Sequence, residues 1–322
     1  MPSPRPTSPP AAVIAGSTAL LVTALALVGC SGSVVSSDNS AEPAVTATPT
    51  MLDTAGLRLP LESYQPTAEQ REKLQRAQDN LIDQCMRRYG FRYPGRPAEF
   101  LGGGTGNARR YGVSSPSQAA KYGYANSVRA APERPPMDDM GPNEKLVLHG
   151  RDDQDAAKWP NSQEEAEKSD EGTTVADGRK VPAGGCVRES ALKLFTPTKD
   201  TVDYMFIQNL TFDAYGRSQQ DSRVVKAMRS WSDCMADHGY RTDEPVGPMN
   251  DLGFKESEHS SPEAITAAKQ DVACKKEVNL VGIWSAVETS YQNRLIDQNA
   301  ETLKKADEQL DDRLRLADSL IR

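Results

Sequence analysis

The feature that most constrains this chain is an eight-residue sequence that occurs twice. Residues 85–92 read CMRRYGFR and residues 234–241 read CMADHGYR, so both fit Cys-Met-x-x-x-Gly-aromatic-Arg. An apolar stripe at helical spacing precedes each copy. Gly90 and Gly239 then stand where glycine commonly ends a helix. We therefore expect an internal duplication in which each copy is the end of a helix, with its cysteine facing the core.

The first thirty residues predict export. An uncharged, largely apolar run covers 11–29, and it ends in Leu-Val-Gly-Cys, which resembles a bacterial lipobox. The resemblance implies that 1–29 is a lipoprotein signal peptide, and that Cys30 receives a diacylglycerol thioether and an amide-linked acyl chain such as palmitate. An uncleaved anchor is the alternative, since about 20 apolar residues span a bilayer. In both cases the protein lies on the extracytoplasmic face of the cell membrane.

Composition narrows the possible partners and the domain plan. The formal net charge is −7 without a concentrated basic run, which argues against nucleic acid. Residues 30–60 hold mostly Ser, Thr, Ala and Pro after the lipidated cysteine, and we expect them to be a disordered tether. The body is then 61–322.

Four further cysteines favour two disulfides in an oxidising compartment. CVRESAL at Cys186 and CKKEVNL at Cys274 are also similar, so the order is motif, partner, motif, partner. If each duplicated unit closes on itself, the bonds are Cys85–Cys186 and Cys234–Cys274. The alternative joins the two motifs, as Cys85–Cys234 with Cys186–Cys274.

Strand patterns are scarce, so the expected fold is mainly α, with two related disulfide-stapled helical lobes. We place lobe 1 at 61–197 and lobe 2 at 198–322. Lobe 1 carries a loop-rich insertion at 126–184, whose composition predicts disorder at 161–180.

Lobe 2 ends in a long helical segment from Pro262, with a break expected near Asn279–Gly282. Its last part carries a thin apolar stripe, which indicates either a solvated end helix or a helix that faces a partner. The stripe consists of Leu303, Ala306, Leu310, Leu314 and Ala317.

Catalytic patterns are weak. Ser190 and Lys193 fit the S-x-x-K of penicillin-recognising enzymes, but no K-T-G follows. The glycine-rich stretch 101–110 lacks the Gly-Lys of a phosphate-binding loop. Cys234 and His238 lie one helical turn apart and could bind zinc, yet the first copy has Tyr89 in place of the histidine. We therefore expect no catalytic residue, no metal and no cofactor.

Three motifs together resemble a group of secreted actinobacterial lipoproteins. They are the lipobox, R-V-V-x-A-x-x-x-W-S-x-C-M-x-x-x-G-Y at Arg223–Tyr240, and P-x-G-G-C at Pro182–Cys186. The resemblance implies an envelope location and association with export machinery or the cell wall, and it carries no catalytic residues. The expected function is a non-catalytic binding or accessory factor, with an envelope protein or the cell wall as partner. The alternatives are a substrate-binding lipoprotein of an ABC transporter and a cell-wall-modifying enzyme.

Overall fold

The computed structural model describes residues 41–96, 106–126, 140–151, 156–169, 172–174 and 178–321. Ten α-helices and one two-stranded sheet lie in these residues, so the mainly α prediction is confirmed. In chain order they are α1 (Ala68–Arg87), α2 (Pro116–Tyr122), α3 (Pro142–His149), α4 (Gln163–Lys168), β1 (Gly172–Thr174), β2 (Lys180–Pro182), α5 (Gly185–Phe195), α6 (Phe206–Gln220), α7 (Ser222–Asp237), α8 (Pro262–Glu277), α9 (Leu280–Gln298) and α10 (Ala300–Ile321).

The duplicated motifs form the same structure at the ends of α1 and α7. Phe91 N donates to Met86 O at 3.1 Å, and Tyr240 N donates to Met235 O at 2.9 Å. The glycine between each pair has positive φ, 84° in the first copy and 87° in the second. An N–H bonded five residues back across such a glycine terminates a helix and satisfies one of its last carbonyls. The repeated sequence thus encodes a helix end, as expected.

Each disulfide lies in its own apolar cluster. Cys85–Cys186 joins α1 to α5 beside the buried side chains of Ile82, Met86 and Val147. Cys234–Cys274 joins α7 to α8 in the largest cluster, which also holds Trp231 and Trp284. Burial of aromatic and aliphatic area around both bridges stabilises the helix pairs that the bridges connect.

Helix packing crosses the expected boundary between 197 and 198. Tyr111 lies in the cluster of the second disulfide, and α2, from the first half of the chain, packs on α8. In the opposite direction, α10 from the second half packs on α1 and α5. Each half of the sequence therefore contributes an element to the core of the other half.

The C-terminal segment breaks twice. Asn279 adopts a left-handed conformation with φ 52°, which separates α8 from α9 within the expected 279–282. A second break at Asn299 starts α10. The apolar stripe of α10 is not solvated or open to a partner, because Leu310, Leu314 and Ala317 pack against Leu74 and Ala77 of α1.

The insertion is partly ordered. The expectation of disorder at 161–180 is wrong for 163–168, which form α4 with Ser162 Oγ accepting from Glu165 N at 3.2 Å. The antiparallel strands pair Gly172 with Pro182 and Thr174 with Lys180. Val181 between them is buried beside the first disulfide, so the sheet covers that cluster.

The expected tether is wrong for its second part. The compact unit begins at Glu42, and residues 42–59, here named the strap, pass over the helices without helix or strand of their own. Val45, Met51 and Leu57 pack on the cluster of the second disulfide. Thr54 and Leu59 are buried. Few charged residues suggested disorder, but few charged residues are also typical of a segment that is covered by protein.

Candidate functional site

Both predicted disulfides are present and the alternative pairing is wrong. The Cα atoms lie 5.5 Å apart in Cys85–Cys186 and 5.7 Å apart in Cys234–Cys274. Both distances fall within the usual range for disulfides, about 4.4–6.8 Å. The bonds close within each copy of the duplication.

The residues of the zinc alternative lie close together, but their sulfurs are not free to bind a metal. A ring nitrogen of His238 and the sulfurs of Cys234 and Cys274 all lie within 4.8 Å of one another. The two sulfurs are bonded to each other, however, and zinc requires thiolates. The Nδ1 of His238 lies 2.8 Å from the carbonyl of Cys234, which fixes the ring on its own helix. This cluster is therefore a disulfide with a histidine beside it at the C-terminal end of α7.

The S-x-x-K pair is not arranged for nucleophilic catalysis. Ser190 is buried, and its hydroxyl donates to Val187 O at 2.7 Å on the same helix. Lys193 Nζ lies 2.6 Å from Glu189 Oε1. Burial alone would raise the pKa of Glu189, but hydrogen bonds from Lys193 and Arg88 hold that pKa below its ordinary value. Both catalytic candidates are therefore occupied by local structural contacts.

A fully buried ion pair lies on α8. Asp271 and Lys275 of α8 are both 0 % exposed, with Nζ 3.1 Å from Oδ1. Burial raises the pKa of Asp271 and lowers that of Lys275, and the attraction between them opposes both shifts. Trp231 Nε1 also donates to Asp271 at 2.9 Å.

The ammonium group of Lys275 also donates hydrogen bonds to the backbone of two loops. Its Nζ donates to Val113 O at 2.9 Å and to Pro245 O at 2.7 Å. A Cβ on Gly112 would overlap Pro245 O and Nζ, so the loops meet closely at this point. All three ammonium protons therefore have acceptors, which is typical of a structural lysine rather than of a base or nucleophile.

A second buried carboxylate ties three segments together. Glu288 of α9 accepts from Arg110 Nε at 2.8 Å and from Tyr111 OH at 2.8 Å. It also accepts from Gln292 Nε2, and Gln292 Oε1 in turn accepts from Leu61 N at 2.9 Å. Burial and the negative charge of Glu288 raise the pKa of Tyr111 well above its ordinary range. The phenol stays protonated and acts as a donor.

The strap is the main feature that sequence reasoning missed. Asn279 Nδ2 donates to Pro49 O at 3.0 Å, and its Oδ1 accepts from Met51 N at 3.2 Å. Asn107 Nδ2 donates to Leu57 O at 3.0 Å. A Cβ on Gly282 would overlap Pro49 O, so the strap backbone lies directly on α9. The left-handed Asn279 followed by Gly282 was the available signal for this close approach.

Among the described residues, two aromatic side chains are strongly exposed. Tyr204 is 62 % exposed and Phe212 of α6 is 63 % exposed. The ring of Tyr204 lies 5.8 Å from that of Phe195, whereas Phe212 projects alone. Exposed aromatics are enriched at protein–protein interfaces, so these two are the candidate contact residues of the body.

Cys30 lies outside the described residues, as do residues 101–105 of the glycine-rich stretch. Within the part of the chain that is described, no helix has the length and apolarity needed to cross a bilayer. Comparison with protein-family models, curated proteins and solved structures gives no match to this chain.

Proposed function

We propose that this protein is a lipid-anchored extracytoplasmic lipoprotein that acts as a non-catalytic binding or accessory factor in the cell envelope. The observation that carries the proposal is the structural use of its reactive side chains. Ser190, Lys193 and the Asp271–Lys275 pair all have their polar atoms bonded internally. Two disulfides and buried ion pairs support a rigid body that presents a surface.

The partner surface is proposed around Phe212 and Tyr204. Large aromatic side chains supply most of the binding free energy at many interfaces, because they bury much area with few rotatable bonds. The proposed partner is another envelope protein, in keeping with the resemblance to secreted actinobacterial lipoproteins. The sheet in the described residues consists of two strands of three residues each, which gives no support to a two-lobed α/β importer protein.

Two experiments in cells test the proposal. Cys30→Ala is expected to release the protein from the membrane fraction or to stop its processing. A photoreactive phenylalanine analogue at position 212 is expected to crosslink one envelope protein, whereas the same analogue at the exposed Lys304 is not. Membrane-bound, processed Cys30→Ala protein would contradict the lipid anchor. A product with peptidoglycan alone would contradict a protein partner.

A further inference from the structure

The first residues of the compact unit lie against the N-terminus of α7. The carboxylate of Glu42 accepts from Ser222 N at 2.6 Å and from Ser222 Oγ at 2.8 Å. Arg223 Nη2 donates to Pro43 O at 2.9 Å. The chain that continues toward Cys30 therefore leaves the body beside Ser222. Twelve residue steps separate Cys30 from Glu42, and they can span at most about 40 Å.

One face of α7 carries its charges in a strict order. Ser222, Lys226 and Arg229 are spaced by four and three residues, so they share this face, and Asp233 and Asp237 continue it. All five are exposed. The stripe is basic near Ser222 and acidic near the second disulfide. The side chains of Lys226 and Arg229 form no hydrogen bond and no ion pair with any described residue.

The order of these charges does not serve the helix. Acidic side chains near the N-terminus and basic ones near the C-terminus stabilise a helix through its dipole. The first turn of α7 has no acidic residue and its last turn has no basic one, while Asp237 is its final residue. The acidic groups at this N-terminus are the N-cap Asp221 and Glu42, and the helix dipole gives no reason for Lys226 and Arg229 to lie toward the same end.

The other charged side chains near Ser222 have partners of their own. Arg223 is bonded to Asp221 at 2.7 Å. The guanidinium of Arg294 lies over the Tyr291 ring at 5.8 Å. Its positive charge and the negative charge of Glu42 shift the pKa of Tyr291 in opposite directions. The excess positive charge at this end thus comes from Lys226 and Arg229.

We propose that Lys226 and Arg229 contact the anionic headgroups of the membrane that holds the lipid on Cys30, so that the acidic end of the stripe points away from it. The inference rests on the proposed lipid anchor and adds an orientation to it. Arg229 lies only about 10 Å along the helix from Ser222. That distance is close to the Debye length at physiological salt, about 8 Å, so one end of the stripe attracts the surface while the other is screened.

Acylation of lysines by a water-soluble reagent tests the orientation. The lipidated protein is reconstituted in phosphatidylcholine vesicles with or without phosphatidylglycerol, and the labelled sites are quantified by mass spectrometry. Each basic residue near an anionic surface contributes about a fivefold preference, so Lys226 is expected to react about fivefold more slowly in the anionic vesicles. The exposed Lys276 of α8 is the internal control and is expected to react equally in both. Salt at about 1 M should abolish the difference, since the Debye length falls to about 3 Å.

Matched variants make the test specific. Arg229→Glu is expected to remove most of the protection of Lys226, whereas Lys269→Glu on the neighbouring α8 is expected to leave it intact, with both variants folded by circular dichroism. Equal Lys226 rates in the two vesicles would overturn the proposal. Equal protection by soluble polyphosphate in neutral detergent would also overturn it, because the site would then serve an anionic polymer. The intact mass of the mature chain reports the lipid on Cys30 beforehand, so failure of the anchor is seen separately from failure of the orientation.

Discussion

The ammonium group of Lys275 lies 3.1 Å from the carboxylate of Asp271, and neither side chain has any exposure to solvent. Removing one partner of such a pair leaves a buried charge without compensation. We therefore expect Lys275→Met to lower the free energy of unfolding by about 3–5 kcal/mol. Lys276→Met, one residue away and exposed, is the control and should change it by less than about 0.5 kcal/mol. Urea denaturation measures both. Similar losses in the two variants would contradict the importance of the pair.

The strap is tested with two glycines inside helices. A Cβ at Gly282 would overlap Pro49 O, whereas a Cβ at Gly216 of α6 meets nothing within 4 Å. Gly282→Ala should displace the strap, destabilise the protein by about 1–3 kcal/mol and expose the Met51 amide to hydrogen exchange. Gly216→Ala should instead stabilise it by up to about 1 kcal/mol. Unchanged protection of Met51 in Gly282→Ala would show that the strap does not lie on α9.

Stability should fall in acid partly because of Asp221. Burial alone would raise its pKa, but hydrogen bonds from Arg223 and Tyr291 hold that pKa below the ordinary 3.8. A carboxylate with a lowered folded-state pKa stabilises the protein above its ordinary pKa, and this contribution is lost as the pH falls through the folded value. Asp221→Asn keeps an oxygen that can cap α7 but cannot titrate. The unfolding midpoint of the variant should be lower at pH 7 and should depend less on pH below about 4. Identical pH profiles would exclude this role for Asp221.

The two disulfides should differ in their contributions. They close loops with separations of 101 and 40 residues. The chain-entropy model gives upper figures of about 5 kcal/mol for the first and about 4 kcal/mol for the second. Paired serine substitutions at Cys85 with Cys186, and at Cys234 with Cys274, are expected to lower the denaturation midpoint in that order. Non-reducing peptide mapping of each double variant should still show the other bond. Finding the two remaining cysteines as free thiols would indicate that helix packing does not direct the pairing.

The sequence predicted those features that depend on local patterns. A glycine after a cysteine-bearing apolar stripe is enough to place the ends of α1 and α7, and duplication favoured the disulfide pairing that the structure shows. The break near 279–282 was predicted because Gly282 is the weak point of an otherwise uninterrupted helical segment, and the structure places the break at the left-handed Asn279.

Long-range packing could not be predicted in the same way. The strap has no periodic pattern. It is neither helix nor strand and packs against several helices, so its apolar residues follow no single repeat. Likewise, the stripe of α10 does not encode which helix it meets, so its contact with α1 required the three-dimensional structure. The roles of Lys275 and Glu288 depend on burial, and a charged side chain in an amphipathic helix looks the same in sequence whether it is buried or solvated.

The position of the strap also determines when the protein can finish folding. Its hydrogen-bond partners at Ser222 and Asn279, and the Gln292 side chain that holds Leu61, stand 180 to 231 residues farther along the chain. During synthesis the strap emerges well before these partners, and the last of them exists only after α9 has followed. Closing contacts over such separations is slow because it costs chain entropy before any contact compensates. A chain truncated before α9 would therefore lack the helix on which Pro49 lies, and a segment near the start of the chain is among the last to reach its final place.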